Sequence, residues 1–195
     1  MRIGGVCLAV VFAAMLAGGC GGGGKSDEDQ ITDVIEQTST TASRENCTDL
    51  STQRFVEQTT FDTGKEAIDS CASDTSGTAD SAKVSNVQVD GDKATATVAI
   101  SGATFDGQTL KVSLVKEGDQ WKMDHVDDFV KFDQQQFADA FEKGLTSGKN
   151  PLPDDQAKCV ASGFANAPAD SVKTVILSGQ SAALVPVLRK CGVVG

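Results

Sequence analysis

His125 is the only histidine in the 195-residue chain, and carboxylates stand beside it at Asp124 and Asp127. An imidazole next to a carboxylate can accept and release a proton near neutral pH, which is the chemistry of a general base. With Asp128 and Asp133 the same stretch forms an acidic cluster, and such oxygen ligands suit calcium. Each feature also has a plainer reading. A histidine can be hydrogen-bonded at a sheet edge, the aspartate spacing fits no calcium loop, and a solvated acidic face accounts for the cluster. No Gly-x-Ser-x-Gly elbow prepares a nucleophilic serine. No glycine loop is placed to hold phosphate, because Gly21 to Gly24 reads as a linker. No CxxC pair occurs and His125 is distant in sequence from every cysteine, so no metal site and no cofactor is implied.

The elements around His125 decide what it can do. Trp121, Met123 and His125 alternate along a strand expected over residues 121–126, which predicts that all three share one face and form a candidate pocket. Three strands precede it, at Val84 to Val89, Ala94 to Ile100 and Leu110 to Leu114. Asp90-Gly91-Asp92 and Glu117-Gly118-Asp119 mark tight turns, since glycine supplies the positive φ such turns need. Short connections predict an antiparallel meander. Before the strands, helices are expected at Gln30 to Ala42, Asp49 to Thr59 and Lys65 to Ser73, the first carrying Ile31, Val34 and Ile35 on one stripe. After them, Phe137, Phe141 and Leu145 recur every four residues, and shorter apolar stripes follow around Val160, Val172 and Leu184. Pro186 must occupy a first turn or a kink. The fold class is therefore α+β: three N-terminal helices on a curved four-stranded antiparallel sheet, then a small all-helical C-terminal unit.

The N-terminus supplies an address. One basic residue, Arg2, precedes an apolar run from Val6 to Leu16, shorter than the ~20 residues a membrane-spanning helix needs. Ala17-Gly18-Gly19 then leads to Cys20. This arrangement resembles a bacterial lipoprotein signal, which implies cleavage before Cys20, lipidation of its thiol and anchoring at the outer face of the cell membrane. Residues 1–19 then read as signal, 20–29 as the lipidated cysteine and a flexible tether, 30–126 as the α+β domain and 127–195 as the helical unit. With Cys7 removed and Cys20 acylated, Cys47, Cys71, Cys159 and Cys191 remain. An even number in an oxidising compartment suggests two disulfides, and the spacing favours Cys47 with Cys71 and Cys159 with Cys191.

Gln30 to Val126 resembles the nuclear-transport-factor-2-like (SnoaL-like) fold, as carried by actinobacterial lipoproteins. The resemblance rests on the amphipathic first helix, the Cys47 and Cys71 pair, and a meander closing on Glu117-Gly118-Asp119-Gln120-Trp121-Lys122-Met123. It implies a cystatin-like cone, with a sheet curled round the long helix and a pocket inside. Isomerase relatives use a tyrosine, and this chain has none, so their catalytic set does not carry over. A net charge of −10 excludes nucleic acid as a natural partner. The reading that follows is a lipid-anchored, non-catalytic module of the cell envelope that binds a small apolar ligand or an envelope protein. The alternative is a small isomerase-, dehydratase- or hydrolase-like pocket enzyme using His125.

Overall fold

The computed structural model describes residues 24–73, 77–147 and 151–194. The signal at 1–19, Cys20 and the start of the tether lie outside the described residues. The chain forms helices α1 (Asp27–Thr40), α2 (Arg44–Thr48), α3 (Gln53–Thr60) and α4 (Gly64–Ser73), then strands β1 (Ser81–Asp90), β2 (Lys93–Ser101), β3 (Thr109–Glu117) and β4 (Gln120–Lys131). Helices α5 (Gln134–Ser147), α6 (Asp154–Ala165), α7 (Ala169–Ser178) and α8 (Val185–Lys190) complete it. The class is α+β with an antiparallel sheet of order β1-β2-β3-β4.

Among the described residues, four helices rather than three precede the sheet. The extra helix is α2, which lies before the helix expected over Asp49 to Thr59. That helix itself begins later, at Gln53, because Leu50 and Thr52 are used by tertiary structure. The Leu50 carbonyl accepts from the Met123 N–H and the Thr52 N–H donates to the Met123 carbonyl, each at 2.8 Å, so this segment covers the edge of β4. Thr52 then caps α3, its hydroxyl accepting from the Phe55 N–H. The first helix also begins earlier than the expected Gln30. Ser26 accepts from the Asp29 N–H at 3.2 Å, and Asp27, Glu28 and Asp29 fill the first turn, where the helix dipole favours carboxylates. Residues Asp27 to Asp29 are therefore helix rather than tether.

Gly91 and Gly118 take positive φ in the two tight hairpins, as the sequence pattern requires. Pairing between β2 and β3 is regular from Lys93–Val115 to Ala99–Thr109. Pairing between β3 and β4 is not. Leu114 faces Met123, Ser113 faces His125, Val112 faces Val126 and Leu110 faces Phe129. Asp124, Asp127 and Val130 are the extra residues, each inserted where the register shifts. The buried residues of β4 are consequently three apart at Met123, Val126 and Phe129, and each insertion bends and twists the strand.

The helices lie on one face of this sheet. One core joins Ile31 and Ile35 of α1, Val98, Leu114 and Trp121 of the sheet, and Phe137, Phe164, Val172 and Ile176 of the C-terminal helices. Strand β4 runs through residues 126 and 127 without a break. A smaller cluster of Cys47, Val56 and Ala67 lies between α2, α3 and α4. Disulfides join Cys47 to Cys71, tying α2 to α4, and Cys159 to Cys191, tying α6 to the end of α8, with Cα–Cα distances of 6.2 and 5.7 Å.

Candidate functional site

Between the sheet and the helices is a cavity of about 460 Å³, within the ~300–1,000 Å³ range of small-molecule sites. Val98 and Ile100 of β2, Leu110 and Val112 of β3, and Met123 and Val126 of β4 form one wall. Ile35 of α1, Phe55 of α3, Phe137 and Phe141 of α5, Phe164 of α6 and Ile176 of α7 form the others. The aromatic wall is tightly built. Phe137 stacks on Phe141 at 5.7 Å between centroids, and both meet Phe164 edge to face, at 6.0 and 5.2 Å.

Polar groups collect at the rim, where α1 ends, α3 meets α4, and the β2–β3 loop passes. Thr38, Thr41, Asn46, Thr59, Thr60, Asp62, Ser70 and Thr104 line this part. Among the described residues no lysine, arginine or histidine lines the cavity, and Asp62 is the only charged residue that does. Several rim donors are already engaged. Thr38, Thr59 and Thr60 hydroxyls donate to the carbonyls of Val34, Phe55 and Val56 at 2.7–2.9 Å. Ser70 donates to Asp62 Oδ2 at 2.6 Å, and the Asn46 amide donates to the carbonyls of Gln37 and Thr41.

A second apolar space of about 260 Å³ adjoins the first, sharing Phe141, Leu145, Phe164 and Leu184 with it. Val187 and Leu188 of α8 and Val193 close its far side. The Cys159–Cys191 bond holds that closing segment against α6.

The three residues expected to share a pocket are separated. Met123 lines the cavity. Trp121 is buried in the core but is not part of the cavity lining. Its indole N–H donates to Asp27 Oδ1 at 2.9 Å, Lys116 Nζ donates to the same oxygen at 2.8 Å, and that ammonium lies 5.5 Å from the indole ring. These donors, Lys116 first and then Trp121, hold the Asp27 carboxyl below its usual range. His125 faces away from the cavity, a correction to the expected alternation. The insertion of Asp124 shifts the phase, so Val126 rather than His125 follows Met123 inward. On the open face His125 Nδ1 lies 3.2 Å from Asp127 Oδ1, which also accepts from the Ser113 hydroxyl at 3.1 Å. Serine and histidine both bind the carboxylate rather than each other, so no nucleophile–base pair is formed.

The acidic residues are used one by one. Asp124 accepts from Thr52 and from Arg54, each at 3.0 Å. Asp128 accepts from the Phe129 N–H, and Asp133 from the Gln136 N–H at the start of α5. No group of three potential metal ligands occurs among the described residues, and no described helix is long and apolar enough to cross a membrane.

Two buried glutamines that the sequence reading passed over help to shape the site. Gln58 accepts from the Val126 N–H at 2.8 Å and donates to the carbonyls of Val126 and Leu177, so its amide stands in for a neighbouring strand. Gly179 approaches so closely that a Cβ there would lie 2.4 Å from Gln58 Cα. Gln108 does likewise for Asp133, accepting from its N–H and donating to its carbonyl. Gln58 lies on the inward side of α3 between Phe55 and Val56 and the next turn, and a polar residue there is the sequence signal that could have marked it.

The site thus defines a two-layer α+β domain with an apolar cavity between its layers. Comparison with known proteins finds no matching family model, no matching curated protein and no matching solved structure.

Proposed function

We propose that this is a lipid-anchored protein of the outer face of the cell membrane whose α+β domain binds a small apolar molecule without transforming it. The observation that carries the reading is the cavity of about 460 Å³, walled by aliphatic and aromatic side chains and fringed with neutral hydroxyls. His125 and its carboxylate partner Asp127 lie on the other side of the sheet. The nuclear-transport-factor-2-like cone is the arrangement we assign to α1 and the bulged sheet; the order of elements and the repeated insertions in β4 support it. The anchor rests on Cys20 and the small residues before it. The two disulfides are compatible with an extracytoplasmic setting.

The chain from Gly24 onward carries every described element and both disulfides, and is the material for a binding test. The neutral dye N-phenyl-1-naphthylamine should bind saturably, with fluorescence enhancement. Ile100→Trp, which fills the cavity from β2, should abolish binding with the circular dichroism spectrum preserved, and His125→Ala should leave it intact. Unchanged binding in Ile100→Trp, or turnover of any ligand that depends on His125, would contradict the reading. Mass spectrometry of the mature N-terminus tests the anchor separately; an unmodified Cys20 would remove it.

A further inference from the structure

The rim of the cavity is uneven in its hydrogen-bonding character. Three of its hydroxyls point back at helix carbonyls, Thr38 to Val34, Thr59 to Phe55 and Thr60 to Val56, while Thr41 and Thr104 also line it. A hydroxyl that has given its proton to a carbonyl still offers lone pairs. Asp62 accepts from Ser70 through Oδ2 and offers further lone pairs on its carboxylate. Asn46 has both amide hydrogens engaged by the Gln37 and Thr41 carbonyls. What an incoming head group meets is therefore neutral hydroxyls and amides, one carboxylate and no lining cation among the described residues.

We infer that the ligand is an apolar chain or ring whose polar end donates hydrogen bonds, an alcohol or a primary amine, and that carboxylate-headed lipids are disfavoured. This inference rests on the reading of the cavity as a ligand site. A carboxylate brought to this rim would lose water and face Asp62 with no lining cation among the described residues to pair it, and an unpaired charge leaving water carries a large penalty. A hydroxyl keeps its hydrogen bonds by donating to a threonine oxygen or to Asp62. An ammonium gains the Asp62 charge as well.

Three probes with one chain length separate these terms. Dodecanol, dodecylamine and dodecanoate are titrated at pH 7.5 against bound N-phenyl-1-naphthylamine on the chain from Gly24 onward. Dodecanol and dodecylamine should displace the dye at about tenfold lower concentration than dodecanoate, equivalent to about 1.4 kcal/mol. Asp62→Asn should weaken dodecylamine relative to dodecanol by a similar factor. Dodecanoate equal to or better than dodecanol would overturn the head-group inference and leave the cavity reading standing. Failure of all three to displace the dye would overturn both. The wild-type comparison does not depend on how well Asp62→Asn folds, and an unchanged amine preference in a folded Asp62→Asn would remove Asp62 from the account.

Discussion

On the helix-covered face of the sheet, Val98, Val112, Met123 and Val126 meet apolar side chains and line a cavity. On the open face, Ser113 and His125 each bond to Asp127 beside solvent. The histidine–carboxylate pair lies away from the cavity, and among the described residues Asp62 is the only charged residue that lines it. The insertions in β4 produce this division. The insertions at Asp124 and Asp127 bring Val126 and then Phe129 to the buried side of the strand. Binding is what the enclosed face can do, and solvation with local pairing is what the open face does.

Substitutions on the two faces should separate in the same way. The largest effect is expected at Phe137, which touches Phe105, Phe132, Phe141 and Phe164 and is almost fully buried. Phe137→Ala should destabilise by roughly 3–5 kcal/mol in urea unfolding; a loss below about 1 kcal/mol would show that the aromatic wall is not part of the core. Replacing Cys159 and Cys191 together by serine should cost about 2–4 kcal/mol. It should also weaken dye binding, because α8 closes the space next to the cavity. Unaltered binding would confine that clamp to stability.

Gln58 stands at the boundary between the faces. Gln58→Ala leaves the Val126 N–H and carbonyl without their side-chain partner, and about 1–3 kcal/mol should be lost, with faster amide hydrogen exchange at Val126 as the specific sign. Asp69 on α4 belongs to neither face. The Lys65 and Arg44 head groups beside it hold its carboxyl down at about 2. A depressed carboxylate stabilises the fold above its unfolded pKa of ~3.9. That contribution fades as pH falls from there through about 2. The acid limb of stability should be shallower in Asp69→Asn, and an identical limb would show that the pairing is lost in solution. The smallest effect is expected at His125, where alanine should change stability by no more than about 0.5 kcal/mol and leave dye binding unchanged. A larger loss of binding would bring the open face into the site.

Strand order was readable in the sequence because the turns are marked locally. Gly91 and Gly118 need positive φ, and the alternation in Ala94, Ala96 and Val98 is that of a half-buried strand. The orientation of His125 was not readable, because Trp121, Met123 and His125 keep a perfect alternation and the insertion at Asp124 follows from pairing with β3 and contacts with Thr52 and Arg54. The late start of the second helix was hidden for the same reason, since Leu50 and Thr52 pair with Met123 instead of joining the helix. Most apolar residues of the cavity were visible as core candidates, whereas Phe61 and Phe105 lie outside the periodic stretches. That they surround a space rather than fill it depends on the curl of β4 and on the depth at which Phe137 and Phe164 dock, which no local pattern encodes.

The central claim is that the enclosed face holds a small apolar molecule. Native mass spectrometry of the protein purified from its own cells, followed by organic extraction and analysis of the extract, tests this most directly. The account predicts one neutral or cationic apolar molecule per chain, lost in Ile100→Trp and retained in His125→Ala. An empty protein that also fails to bind N-phenyl-1-naphthylamine would contradict it.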